Sequence, residues 1–371
     1  MVRRILIVLA AGDAYPSGFI RGLIYRDHFK RSGLDVRYVS RLYPPLIRLL
    51  DTPPRFLWRV MSAGLAGVIS RLAQVLGFVA ESVIIRIARR YDVVYMSKVT
   101  SPRLVTKLRK QTRSRLVLDF GDALWLPGRG GERFNAILGQ VDAVTTDNEL
   151  TAEYVRRFNP RCTVIPDCPQ VEWFDRRRAE RRPKDGVTIG WIGTPNTVHN
   201  LFVVWEALEH LWARHPNLHL RLVGVGPDRQ GLPPFERVTY SIRSRYSHAE
   251  MIEEVLGMDI GLFPLQDVEA SRVRGVLKAT VYMAGEAVAV CSPVGQSQDL
   301  IQDGVNGFLA ASTAEWEEKL ELLVSKPDVR ARVARTALER VRRDFAVERS
   351  FAKLRAVLTA SNGVPAAAAT P

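Results

Sequence analysis

The sequence predicts an α/β protein built on two successive parallel sheets. Three observations carry that prediction. Short runs rich in Val, Ile and Leu alternate with stretches of helical apolar spacing over the first ~165 residues. A charge run with a proline, DRRRAERRPKD at 175–185, then breaks the pattern. The alternation restarts at Val187. A chain of 371 residues exceeds one ordinary core and fits two domains. The expected division is a first domain over 1–170, a linker over 171–186 and a second domain over 187–345. A helix over 346–359 and an Ala/Pro/Gly-rich disordered tail over 360–371 complete the chain.

In the first half, residues 5–11 read as a buried strand. The basic residues before it suggest a signal peptide, but the apolar run is short and lacks an A-x-A-like site, so a strand is the better reading. A helix over 19–32 and a strand over 35–39 make a βαβ opening. The loop after the first strand faces the carboxyl end of the sheet, where such folds bind ligands. Ser17, Gly18 and Arg21 sit there, as contacts to a donor phosphate or an acceptor, or as an ordinary turn and cap.

Residues 46–90 intersperse apolar runs with arginines at 48, 55, 59, 71, 86, 89 and 90. The longest uncharged piece, 60–70, is too short to span a bilayer. The segment reads as one or two helices with an apolar face and basic edges. It suits contact with an anionic membrane surface, or packing in the core with solvated arginines. Strands follow at 91–96, 115–120, 142–147 and 162–165, with helices over 99–111 and 149–158. The fourth strand runs into Asp119-Phe120-Gly121-Asp122-Ala123, whose two carboxylates suit a catalytic pair, a metal site or loop caps.

In the second half, VTIGWI at 187–192 is a strand, and Gly193-Thr194-Pro195-Asn196-Thr197 leads into a helix over 199–214. Strands at 219–223 and 238–242 and a helix at 248–256 come next. Residues 259–309 then run strand, Arg-containing loop, helix, strand and turn. The loop holds Arg272, Arg274 and Gly275, with Lys278 at the helix start. A helix N-terminus offers backbone N–H groups and a partial positive charge, which suits a nucleotide diphosphate. Helices over 313–325, 329–345 and 347–359 finish the ordered chain.

Composition narrows the function. The apolar fraction of 47% and charged fraction of 25% are those of a folded globular chain. A net charge of +14, from 53 basic and 39 acidic residues, favours an anionic partner. The charge run lacks the interleaved aromatics that stack bases, so nucleic acid is not the expected partner. Three cysteines, an odd and sparse count, point to a reducing, cytoplasmic setting rather than a disulfide framework. Neither a metal-ligand cluster nor a Ser/His/Asp nucleophile set is discernible.

The ordered run TIGWIGTPNTVHNL, LRLVGVGP, DIGLFPL, LKATVYMAGEAVAVCSPVGQSQDLIQDGVNGFL and RVRRDF resembles the nucleotide-sugar glycosyltransferases of family 4. In the first half, YDVVYMSK, LVLDFGDALWLP and VDAVTTDNELTAEYVRRFNPRCTVIPD resemble a bacterial subgroup of that family. The resemblance implies the GT-B architecture: two Rossmann-like domains facing each other across a cleft, with the C-terminal helix crossing back to the first. It implies a second domain that binds a nucleoside-diphosphate sugar and a first domain that binds the acceptor. It also implies retaining, metal-independent transfer to a hydroxyl of a saccharide or lipid-linked acceptor in envelope or polysaccharide biosynthesis. The nucleotide sugar is then a substrate, and no cofactor is expected.

Carried onto this sequence, the resemblance places Gly193, Thr194, Asn196, Arg243, Arg274, Lys278, Ser292, Val294 and Gly295 around the donor. It places Asp122 near the cleft, where with Lys278 it joins the catalytic candidates. Peripheral attachment to the inner face of the cytoplasmic membrane fits residues 46–90. The sequence departs from the pattern at four places. Val273 and Val281 occupy the positions of two glutamates that many members carry eight apart, Gly121 replaces an acid, and the glycine usual at 286 is Glu286. These departures motivate the alternative of a catalytically drifted GT-B scaffold or partner subunit.

Overall fold

A computed structural model describes residues 4–12, 16–42, 63–126, 131–178, 186–226, 231–243 and 246–360, with Val2 and Arg229. Expectations that fall on residues 43–62, on the charge run at 179–185 and on the tail at 361–371 lie outside the described residues. The chain divides into two compact units, Met1–Pro166 with Glu348–Pro371, and Asp167–Val347.

The first unit is a six-stranded sheet: β1 (Arg4–Leu9), β2 (Asp35–Ser40), β3 (Val93–Ser97), β4 (Arg115–Asp119), β5 (Ala143–Thr146) and β6 (Cys162–Val164). All neighbours pair in parallel, in the order β2-β1-β3-β4-β5-β6. Ile5, Leu6, Ile7 and Val8 are fully buried, so β1 is covered on both faces. This is why it reads as an unbroken apolar run rather than an alternating one. The order reverses between β1 and β3, which makes the loops after these strands the ligand-binding end of the sheet. The helix expected over 19–32 is broken into Pro16–Ile20, a 3-10 turn at Leu23–Tyr25 and Arg26–Arg31. The break falls at Gly22, where a Cβ would stand 2.5 Å from Leu9 Cδ2.

The helix over Val347–Thr359 enters the first unit from Glu348 onward, and the ring of Phe351 packs edge-on against Phe29 at 5.0 Å. Two helices of eight residues each, Gly131–Leu138 and Val171–Arg178, escape the periodicity reading because each buries only two or three apolar side chains. The second of these revises the linker. Val171 and Phe174 join the core of the second unit, so the chain is already folded there where 171–186 reads as a connection.

Arg21 and Asp119 hold the first unit together at the end of β4. Asp119 is fully buried and accepts from Arg21 Nε (3.1 Å), Ser97 Oγ (3.2 Å) and Thr145 Oγ1 (2.6 Å), and pairs with Arg21 Nη2. Arg21 Nη1 also donates to the carbonyl of Ile165 at 2.8 Å. Burying a carboxylate is tolerable only with such a shell of donors. The Arg21 guanidinium is therefore consumed inside the fold and not presented to an acceptor, which corrects its place among the cleft residues.

The second unit repeats the architecture: β7 (Thr188–Ile192), β8 (His219–Val223), β9 (Tyr240–Arg243), β10 (Ile260–Phe263), β11 (Val288–Cys291) and β12 (Phe308–Leu309). The order is β12-β11-β10-β7-β8-β9. One face is covered by Val171, Phe174, Val255, Tyr282, Leu338 and Val341. The other is covered by Leu208, Leu211, Trp212, Trp316, Leu320 and Leu323. The reversal lies between β7 and β10. These strands pair only at Ile260↔Ile189 and Gly261↔Gly190, then separate toward their carboxyl ends.

Removing one partner of a buried ion pair leaves the other charge stranded, at a cost of about 3–5 kcal/mol. Arg21→Met is expected to lower the stability of the first unit by about that amount, read from the urea dependence of unfolding; a loss no larger than that of an exposed Arg109→Met control counts against this role.

Candidate functional site

The parting of β7 and β10 leaves backbone groups without a ladder partner, and Tyr282 takes them up. Its hydroxyl accepts from the Ile192 N–H at 2.8 Å and donates to the Leu262 carbonyl at 3.1 Å. Its ring lies on Gly261, where a Cβ would stand 2.2 Å from Tyr282 Cγ. Only glycine admits the ring there. The two strand ends are thus held apart at a set spacing, and the loops that follow them line the opening.

Residues 193–197 form the loop after β7. Thr194 caps a 3-10 helix over Pro195–Val203: its N–H donates to Thr197 Oγ1 at 3.0 Å, and Thr197 Oγ1 donates back to the Thr194 carbonyl at 3.0 Å. The helix expected over 199–214 therefore begins earlier, as a 3-10 turn, and becomes α-helical only at Trp205. Asn196 is exposed on this turn. Gly193 is buried beneath Trp191, where a Cβ would stand 2.0 Å from Trp191 Cη2, and its carbonyl accepts from the Tyr246 hydroxyl at 3.1 Å.

Lys278 reaches this loop from the far side of the opening. Its Nζ donates to Thr197 Oγ1 at 3.3 Å and lies 5.1 Å from the centre of the Trp191 ring. Burial, and then the positive charge of Arg274, bring the Lys278 ammonium from 10.5 down to about 7. The backbone N–H of Gln266, after β10, donates to Asn200 Oδ1 at 3.2 Å and ties the two loops together. Among the residues expected around the donor, Gly193, Thr194 and Lys278 are brought together here. Thr197 comes with the loop already singled out, and Trp191 and Tyr282 join them unforeseen. Their only signal in the sequence is adjacency to the strand end and helix that carry the others.

Other expected residues are diverted. Arg243 pairs with Glu254 and Glu250, which stand four apart on one face of the helix His248–Leu256. Glu254 also holds Arg221 at 2.6 Å, so the Arg243 guanidinium is committed to a local charge network. Ser292 is buried, and its hydroxyl accepts from the Leu265 N–H at 2.9 Å. It joins the ends of β11 and β10 and does not project into the opening. Val294 is buried. Gly295 adopts φ 56° and lies so close to Arg272 that a Cβ would meet its carbonyl oxygen at 2.1 Å.

The departures have a structural counterpart. Val273 and Val281 are both buried, and Val281 packs with Val276, Ala279 and Met283 in the core. Glu286 takes φ 59°, the region that a glycine at this position occupies at no steric cost. Its carboxylate pairs with Arg178, so it does not replace the missing acids.

In the first unit, Gly18 is buried, and the Ser17 side chain lies outside the described residues. The two acids at the carboxyl end of β4 part company: Asp119 is sealed on Arg21, whereas Asp122 is half-exposed and pairs with Lys98 Nζ at 2.6 Å. Lys98 follows β3 directly and holds φ 54°, an uncommon conformation for a side-chain-bearing residue. Among the described residues, no three His, Cys, Asp or Glu side chains gather as a metal site.

These sites sit on a recognisable framework. Residues 186–326 match the family described as glycosyl transferases group 1. The chain superposes on the Anabaena protein Alr3699/HepE in complex with UDP and glucose with a TM-score of 0.66 and 13% identity, covering 97% of this chain and 100% of that one. It superposes on a glycosyltransferase from Rickettsia africae at 0.66 and 15% identity (97% and 100% covered), and on sucrose-phosphate synthase from Thermosynechococcus elongatus at 0.64 and 16% (95% and 97%). No curated protein matches the sequence. Fold and family match define the class: an α/β chain of the GT-B architecture whose second unit carries a group 1 glycosyltransferase domain over residues 186–326.

Two consequences are measurable. Tyr282→Phe strands the Ile192 N–H and the Leu262 carbonyl, at about 1–3 kcal/mol, and is expected to lower the urea midpoint of the second unit accordingly; an unchanged midpoint argues against the strut. Lys278 is held below its ordinary value, so between pH 7 and 10.5 the unfolded chain binds more protons and stability rises with pH. Lys278→Met is therefore expected to be more stable than the parent below pH 7, with the advantage shrinking toward pH 10.5. A thermal-shift series across pH reads this directly, and a pH-independent difference contradicts it.

Proposed function

We propose that the protein transfers a sugar from a nucleoside-diphosphate sugar to a hydroxyl of a saccharide or lipid-linked acceptor, with retention of configuration and without a metal. The observation that carries this reading is Lys278 seated on Thr197 and Trp191 at the switch point of the second sheet. In the transfer the bond from the anomeric carbon to the diphosphate oxygen breaks, and negative charge grows on the leaving diphosphate. Lys278, the neighbouring Arg274 and the N-terminal turn at Thr194–Thr197 are the groups suited to receive it. The presence of UDP in the Anabaena neighbour supports a nucleotide in this role.

Asp122, paired with Lys98, is assigned to the acceptor hydroxyl as a positioning group or base. An apolar and basic helix in the first unit supports work at the inner membrane surface, on envelope or polysaccharide intermediates. Val273 and Val281 favour a second reading, a GT-B scaffold that binds without turnover.

Release of nucleoside diphosphate from UDP-, GDP- and dTDP-sugars separates the two. Turnover that falls about 100-fold in Lys278→Ala is the expected result. No turnover with a nucleotide-induced thermal shift supports the scaffold, and neither turnover nor shift overturns both. Proton inventory gives an independent check. At pH 8 nucleotide binding is expected to take up a proton onto Lys278, seen as a buffer-dependent calorimetric enthalpy that disappears in Lys278→Met. Affinity accordingly falls as pH rises above 7.

A further inference from the structure

The helix over Ala63–Ala88 has two faces of different kinds. Gly77, Glu81, Ile84, Ile85 and Ala88 are buried against the first unit. The opposite side carries Val68, Leu72, Val75, Leu76, Val79 and Val83, whose exposures run from 37% to 60%. At 100° per residue these six fall within a sector of about 100°, an unbroken apolar stripe more than four turns long. A stripe of this length left in water is unusual for a surface helix, which normally points charge outward.

Continuing the same spacing past Val83 brings Arg86 and then Arg90 onto the stripe. Both line a cavity of about 250 Å³ with Arg4, Arg37, Asp35 and Tyr91, at the amino ends of β1 and β2. Four guanidiniums against one carboxylate make it strongly basic. Arg71 adds an exposed cation beside the stripe. Among the described residues no helix is long and apolar enough to cross a membrane, so the stripe does not read as a span.

We propose that this face lies in the interface of an anionic phospholipid bilayer, with the arginine cavity seating a lipid phosphate while the valine and leucine stripe enters the acyl boundary. Guanidiniums hold phosphate by paired N–H donors, and the apolar side chains gain by leaving water. A second copy of the chain leaves the basic cavity without a counter-charge; a lipid phosphate supplies it. The inference rests on the membrane-surface part of the proposed function and is independent of its transfer chemistry.

Co-sedimentation of the full chain with vesicles tests it, using phosphatidylcholine alone and an equal mixture with phosphatidylglycerol. The parent is expected to partition at least roughly tenfold better onto the mixed vesicles, with the preference fading as salt rises. Arg86→Gln with Arg90→Gln is expected to lose roughly 30-fold on mixed vesicles and little on neutral ones. Val79→Ser with Val83→Ser is expected to weaken both. All four positions are exposed, and unchanged melting temperatures are expected to show that the variants fold. Equal partitioning of the parent on both vesicles overturns the phosphate site, and no binding to either overturns the membrane face as well. A parent dimer by light scattering that becomes monomeric in the valine variant assigns the stripe to a second copy and overturns the proposal. Nucleoside-diphosphate release measured without vesicles keeps these outcomes separate from failure of the transferase reading.

Discussion

The second unit depends on one hydroxyl. Two parallel strands that feed loops to opposite sides must separate at their carboxyl ends, and each residue of separation leaves a backbone donor and acceptor without a partner. Tyr282 supplies both partners from a single atom, and Gly261 gives its ring room to do so. The helix that presents Tyr282 also presents Lys278 one turn earlier. The group that holds the strands apart and the cation that faces the opening are thereby placed by the same turn of helix. Lys278 can then sit half-buried on Trp191 with its ammonium weakened, ready to gain from an arriving anion.

The two units treat the corresponding end of the sheet differently. In the first, the buried Asp119 carboxylate is neutralised by Arg21 and two hydroxyls, so this ion pair is spent inside the fold. Among the described residues, the half-exposed pair Lys98–Asp122 stays accessible there, with Lys98 on backbone held in an uncommon conformation. In the second unit, among the described residues, Lys278 is held by a threonine hydroxyl and an aromatic face. The proposed donor site rests on that imbalance, because the cost of keeping the cation desolvated is recovered when an anion arrives. Where carboxylates are usual, this chain places Val273 and Val281, two buried apolar side chains that cannot supply a negative charge.

Much of this was legible beforehand. Strands buried on both faces announce themselves as apolar runs, and β1, β3, β4, β7, β10 and β11 are of that kind. Lys278, Gly193 and Thr194 were legible because a strand–loop–helix junction at the carboxyl edge is where a parallel sheet binds ligands. The helices Gly131–Leu138 and Val171–Arg178 were not, because eight residues with two or three inward side chains carry too little periodicity to separate from a loop. Arg21, Arg243 and Ser292 have the right chemistry for a site, yet Asp119, Glu254 and the Leu265 N–H claim them first. Those partners lie between 11 and 98 residues away, beyond the reach of local pattern.

The sequence by itself determined the class of fold, the twofold restart of the strand–helix pattern and the loops at which chemistry is concentrated. Those properties depend on which residues follow one another: apolar runs, turn residues and a cation at a helix start. Only the tertiary structure decided which polar side chains are left over for a ligand. A charge or hydroxyl is available to a ligand only when no nearer group satisfies it, and what lies near is settled by strands and helices packing across the whole unit. Tyr282, an ordinary residue in an apolar helix by sequence, becomes the strut of the second sheet; Arg21, a candidate by position, becomes the counter-charge of the first.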